Sequence, residues 1–255
     1  MKKYELTAEF IEKWGKKLFR IKALISFGSV EVGELGGYVE KEDNLAQDGN
    51  AWVYGNARVY GNAWVYGNAR VYGNAEVYGD ARVYGNAEVY GDARVYGNAE
   101  VYGDARVCGD AEVCGNAWVC GNAEVYGNAR VCGDAWVYGN ARVYGNAEVY
   151  GNARVYGNAE VYGDAEVCGN ADYLLIGRIG SRFSFTTFFK NKDKGITVSC
   201  GCFLGTIAEF RAKVSDTHGN NKHAKIYNLA ADMAELQILG EEYFDKLNTN
   251  KSEPF

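Results

Sequence analysis

From Val53 to Val167 a valine recurs at every sixth position without exception, inside the unit Ala-x-Val-Tyr/Cys-Gly-Asn/Asp, in twenty consecutive copies. Within each copy the small and branched residues alternate with variable and aromatic ones. That period of two predicts a short strand with Ala and Val facing inward. Gly-Asn or Gly-Asp supplies the corner, because these residues tolerate a positive φ. A unit this short cannot bury its own apolar side chains, so the copies are expected to wind into a solenoid and stack.

The residue before each valine calls for an odd number of strands per coil, and three is the smallest that can enclose a core. Along the chain it alternates in sign, as in Arg70, Glu76, Arg82, Glu88, Arg94 and Glu100. Two hexads per coil would stack like on like. Three hexads per coil instead give a column of Arg70, Glu88, Arg106, Glu124, Arg142 and Glu160. A second column runs Arg58, Glu76, Arg94, Glu112, Arg130 and Glu148 before ending on Glu166. Strands stack about 4.8 Å apart, close enough for these charges to set register. The third column breaks the pattern with Trp64, Arg82, Glu100, Trp118, Trp136 and Arg154, and is the most distinctive face.

The unit Val-Tyr-Gly-Asn-Ala-Arg resembles the bacterial transferase hexapeptide repeat, in which an aliphatic residue is followed four positions later by a small one. Val53 with Ala57, Val59 with Ala63 and so on to Val167 with Ala171 fit it. The resemblance implies a left-handed parallel β-helix of triangular section, and its relatives are often trimers packed side by side. Handedness rests on the resemblance alone, since parallel crossovers are ordinarily right-handed. The lead-in Phe19-Arg20-Ile21-Lys22-Ala23, Gly36-Gly37, and Ser199-Cys200-Gly201-Cys202-Phe203 with Thr217-His218-Gly219 looks like uncharacterised hexapeptide-repeat proteins of bacteria and their phages.

The expected fold is therefore mainly β: a β-helix over residues 51–171, an N-terminal cap with a decayed first coil over 1–50, and a C-terminal α+β domain over 172–245. Residues 246–255 are expected to be a disordered tail. In the cap, Thr7 to Trp14 reads as a short helix and Leu18 to Ile25 as a strand. In the appendage, Tyr173 to Ile176, Arg182 to Lys190 and Ile196 to Phe203 read as strands, the last two joined by a hairpin at 191–195. Thr206-Ile207-Ala208-Glu209 is a capping box opening a helix to about Asp216, and a second helix is predicted from Lys222 to Leu239.

The net charge of −6 arises in the repeats, where 8 Arg face 8 Glu and 6 Asp between residues 50 and 170. The flanks balance at 19 basic and 19 acidic residues. This leaves no broad cationic footprint and argues against nucleic acid or an anionic membrane as partner. No apolar run is long enough to span a bilayer, and seven cysteines in irregular spacing suit a reducing compartment, so a cytoplasmic location is expected.

Candidate chemistry is sparse. The transferase resemblance implies acyl transfer from a coenzyme A thioester with a histidine activating the acceptor, but the repeats contain no histidine. Only His218 and His223 remain, both in the appendage. His218, read as part of a flexible turn, is the candidate base, and Cys200, paired with Cys202 as C-x-C on one strand face, the candidate nucleophile. Neither cofactor nor metal is implied, as the ligand set falls short of a zinc site. Cys108, Cys114, Cys120, Cys132 and Cys168 replace outward tyrosines, and Cys114 shares a column with Cys132. Asp92 over Asp110 is a stacked acidic pair that would attract a cation. Fifteen outward tyrosines and four tryptophans offer an aromatic surface, with Trp64, Trp118 and Trp136 as binding residues. The hairpin lysines Lys190, Lys192 and Lys194 are candidates for an anion. The leading expectation is a non-enzymatic, homo-oligomeric scaffold or binding protein with a trimer favoured. Sequestration of a small anionic metabolite or nucleotide and acyl transfer are the alternatives.

Overall fold

The computed structural model describes residues 1–241. Each hexad contributes a two-residue strand made of its valine and the residue before it, and these strands stack into three parallel sheets with about seven turns in all. Strand pairs are 18 residues apart, as in Arg70 with Glu88 and Val71 with Val89. The three sheets are the three columns read from the charges. Every alanine and valine of the hexads is buried in one continuous core.

Backbone pairing runs along the stack: Arg70, Tyr72 and Asn74 donate their N–H to Ala87, Val89 and Gly91 carbonyls at 2.9, 3.0 and 2.8 Å. The corners explain the invariant glycine twice over. Gly85 has φ +71°, and a Cβ there would lie 2.9 Å from the Gly103 nitrogen one coil on. Beside it the corner amides form ladders, such as Asn50 Nδ2 to Asn68 Oδ1 and Asn68 Nδ2 to Asn86 Oδ1, both 3.0 Å. An aspartate can accept such a bond but not pass it on, so the ladder through Asn50, Asn68 and Asn86 stops at Asp104. No group of three or more metal-ligating side chains forms among the described residues, at Asp92 and Asp110 or elsewhere.

The N-terminal segment departs from expectation. Thr7 to Trp14 is not a helix: strand β1 (Tyr4–Lys13) pairs antiparallel with β2 (Lys16–Ala23) through a turn at Trp14 and Gly15, with φ of 52° and 73°. Two positive φ values in a two-residue loop match the twist of a hairpin. Pairing with β2 also seats Tyr4 against Trp52 at the solenoid end, and this tertiary contact overrides the helical spacing. Strand β3 (Leu35–Val39) joins β2 to the stack, with Tyr38 against Arg58 and Val39 against Val59. The Leu45–Val65 bridge continues the same first, irregular coil.

The cap also removes Trp52 from the aromatic surface expected outside. Its ring is wholly buried beneath Tyr4 and Phe27, with centroids 6.0 and 5.4 Å away. Lys3, equally buried, donates to the carbonyls of Asp48 and Ala51 at 3.1 and 3.0 Å.

After the last hexad, β4 (Tyr173–Ile179), β5 (Ser184–Lys190), β6 (Ile196–Cys200) and β7 (Phe203–Thr206) form an antiparallel meander. Helices α1 (Ile207–His218) and α2 (Lys222–Leu239) pack on it around Phe188, Phe210, Val214 and Tyr227. The Thr206–Glu209 capping box forms as expected. Phe189 and Tyr173 reach instead into the solenoid core and close its end. The tail assigned to 246–255 lies outside the described residues, as does the end of the 172–245 unit. No helix among the described residues is long and apolar enough to cross a membrane.

Candidate binding face and C-terminal pocket

On the two charged faces the side chains form a closed network. Glu88 accepts from Arg70 at 3.5 Å and from the Tyr72 hydroxyl at 3.0 Å, and Glu112 accepts from Arg94 and Tyr96, both at 3.2 Å. The phenols that follow each valine thus stack as columns, with Tyr72 on Tyr90 at 4.7 Å, and also anchor the acids of the next coil. Burial, and then the neighbouring Glu88 and Glu112 carboxylates, raise the pKa values of Tyr72 and Tyr96. That of Tyr102 is pushed up to about 12, chiefly by burial and then by its contact with Cys120.

Five cysteines take tyrosine positions in the hexads, and in one column two of them, Cys114 and Cys132, are neighbours. Cys114 and Cys132 are joined there by a disulfide, across a Cα separation of 4.6 Å. They are more than tolerated replacements of tyrosine.

The third face differs. Trp64 is exposed and lies on Tyr66 at 4.0 Å. Trp118 and Trp136 stack at 4.7 Å, and the Arg154 guanidinium sits 4.9 Å above Trp136. No carboxylate pairs with Arg154 among the described residues. Where this strip meets the C-terminal domain, Tyr138, Tyr156, Arg154, Leu175 and Gln237 line a cleft of about 480 Å³. The domain's first strand forms the far wall, tied to α2 by Gln237 Nε2 donating to the Tyr173 carbonyl at 2.8 Å. Arg154 lies in the third column and Tyr138 and Tyr156 among the outward tyrosines expected from the sequence, but their meeting with Gln237 could not be read there, because nothing local places α2 beside a coil.

The lysine hairpin is a docking device. Lys190 pairs with Asp172 at 3.3 Å and Lys192 with Glu148 at 3.2 Å. The Lys192 N–H also donates to the Asp164 carbonyl at 3.2 Å, and Asn191 bridges to Ala165. Lys194 remains exposed at the turn, with φ 61°. Two of the three cations are therefore neutralised, Lys192 by an acid of the solenoid and Lys190 by Asp172 just beyond it.

His218 and Cys200 come together, although not as the C-x-C and flexible-loop arguments supposed. His218 belongs to the last turn of α1, which Gly219 ends, rather than to a loop. The strand stops at Cys200, where Gly201 (φ +63°) turns the chain. Cys200 is half-buried and accepts from Thr186 Oγ1 at 3.2 Å, while Cys202 is exposed. Both cysteines and His218 line a pocket of about 220 Å³ bounded entirely by residues between Ser181 and Tyr227, so no coil residue contributes to it.

The stacked sheets, buried Ala/Val core and helical flank define a β-solenoid repeat protein. Residues 51–67, 63–79, 123–139, 135–151 and 147–163 match the YdcK β-solenoid repeat family, to which the chain is similar over these coils. The matches cover under a third of the sequence and leave out the C-terminal domain. No protein of curated function matches the chain.

Proposed function

We propose that the protein is a non-enzymatic scaffold of bacterial or phage origin, acting in the cytoplasm, whose third face packs against copies of itself, most simply as a trimer. The observation that carries this reading is the strip Trp118, Trp136, Arg154 and Tyr156, where a stacked indole pair and an unpaired guanidinium run into the 480 Å³ cleft. Aromatic residues and arginine are the types enriched at protein interfaces, whereas the other two faces are saturated with internal ion pairs. The resemblance to hexapeptide transferases supports side-by-side packing and a left-handed winding.

Acyl transfer receives less support, because the pocket that holds His218 shares no wall with the coils along which a coenzyme A thioester would lie. Anion capture by the lysine hairpin is weakened by its ion pairs to Asp172 and Glu148. Light scattering on the full chain tests the proposal: a single species of three times the chain mass is expected. Trp136→Ala combined with Arg154→Glu should shift it to monomer. A monomeric wild-type protein, or a thermal shift with coenzyme A lost in His218→Ala, would overturn it.

A further inference from the structure

The appendage pocket has a lining of one sign. Arg182, Lys213 and His218 face it, no Asp or Glu does, and neither Arg182 nor Lys213 has an acidic partner within 4.0 Å among the described residues. In the solenoid, by contrast, arginines such as Arg70, Arg82 and Arg94 each meet a glutamate. Cations gathered at one concavity without counter-charge raise the local concentration of anions.

The site is held rather than merely exposed. Tyr227 forms its floor, and its hydroxyl lies 1.8 Å from where a Cβ on Gly180 would be, so only glycine fits there. Phe210 meets Tyr227 edge to face at 5.6 Å, and Phe203 lies 5.6 Å from Phe210. The His218 ring rests near-parallel over Tyr227 at 5.8 Å. The turn carrying Ser181 and Arg182 is flanked by two left-handed residues, Gly180 (φ 73°) and Phe183 (φ 49°). A bulky non-glycine residue in that region is strained, and such strain persists where the surroundings fix it. The turn brings the Arg182 guanidinium over Gly201, with NH1 3.8 Å from that residue's would-be Cβ. The phenol of Tyr227 is pushed up to about 12, first by burial and then by the Cys200 thiol, while Arg182 is near enough to oppose the shift.

We propose that this pocket binds a small phosphate monoester. The planar fork of Arg182 and the mobile ammonium of Lys213 hold the dianion, and Ser184, Thr217 and His218 supply hydrogen bonds from other directions. That spread of donors suits a tetrahedral group, where a carboxylate would be satisfied by arginine alone. The organic portion lies against Phe203 and Phe210. The volume, small beside the ~300–1,000 Å³ of sites for drug-sized ligands, limits it to about one ring or a short chain.

Isothermal titration of the full chain with phenyl phosphate, inorganic phosphate and benzoate tests this. One site per chain is expected for phenyl phosphate, with inorganic phosphate weaker and benzoate weaker still. Arg182→Gln and Lys213→Gln should each weaken phenyl phosphate at least about tenfold, the loss of one charge-assisted contact, with unchanged circular dichroism. Lys192→Ala, on the docking hairpin, should leave affinity unchanged. Benzoate binding as tightly as phenyl phosphate, wild-type affinity in both glutamine variants, or no heat with any probe at millimolar concentration would overturn the proposal. None of these readouts depends on the oligomeric state.

Discussion

Lys192 Nζ lies 3.2 Å from Glu148 Oε1, at the one step of the two charge columns where acid meets acid, Glu148 against Glu166. The C-terminal domain thus supplies the cation that the next coil would have provided. Both groups are partly exposed, so the pair contributes about 0.2–1 kcal/mol. Lys192→Ala should lower stability by that amount. In a Glu166→Gln background, which keeps an acceptor for the Tyr150 hydroxyl, the same change should cost less. A double-mutant cycle by urea unfolding measures the difference, and equal losses in both backgrounds would show that Lys192 does not answer the acid pair.

Alternation has a period of two coils, not one, and this sets which deletions are tolerated. Removing residues 72–89 keeps every strand on its face but brings Arg58 against Arg94 and Arg70 against Arg106. Removing residues 72–107 instead brings Arg58 against Glu112 and Arg70 against Glu124, and Trp64 against Trp118. Salt screens exposed charges beyond about 8–10 Å and weakens such contacts. The melting temperature of the 72–89 deletion should therefore rise with sodium chloride, and that of the 72–107 deletion should stay level or fall. Equal salt responses would mean that the columns do not set register.

The solenoid was legible because one rule, repeated twenty times, outweighs any local ambiguity. Valine spacing gives the strands, and the preceding charges give three faces. α2 appears at its expected bounds because Asn221 caps it and Gly240 ends it. What escaped depended on non-local demands. Residues 7–14 carry helical spacing, yet the segment pairs with β2 and Tyr4 packs on Trp52. Trp52 has the same sequence context as Trp64, and only the cap distinguishes a buried ring from an exposed one. The cations Arg182 and Lys213 stand 31 positions apart in sequence, and nothing local says that both line one pocket with Tyr227. The hairpin lysines read as free for want of knowing that Asp172 and Glu148 lie beneath them.

Cys114 and Cys132 bind adjacent coils across a sequence separation of 18 residues. A loop of that order stabilises by about 3 kcal/mol through restriction of the unfolded chain. Protein purified without reductant should show five reactive thiols in denaturant, not seven, matching the five free cysteines. Cys132→Ala should lower the urea midpoint and show six. Seven thiols in the unreduced wild type would mean that the pair stays reduced in its native compartment.

Stability should pass through a maximum in mild alkali, because two sets of buried groups pull in opposite directions. Burial lowers the Lys3 pKa to about 8, with Asp48 opposing, so the folded state gives up that proton before the unfolded state does. The resulting penalty, complete below pH 8, is relieved as pH rises toward the unfolded value of 10.5. The tyrosines act the other way. Contact with Cys108, followed by burial, pushes Tyr90 up to about 12, and burial with the Cys120 contact does the same for Tyr102. Folded phenols thus stay neutral where unfolded ones ionise near pH 10, and their stabilisation, complete below that value, is lost as pH climbs through 12. Urea unfolding at intervals from pH 7 to 12 should show a rise above pH 8 that Lys3→Met abolishes, then a steep fall above pH 10 coincident with tyrosinate absorbance. Phenols that titrate near pH 10 while the fold stays intact would refute the account of Tyr90 and Tyr102 as buried members of closed tyrosine columns.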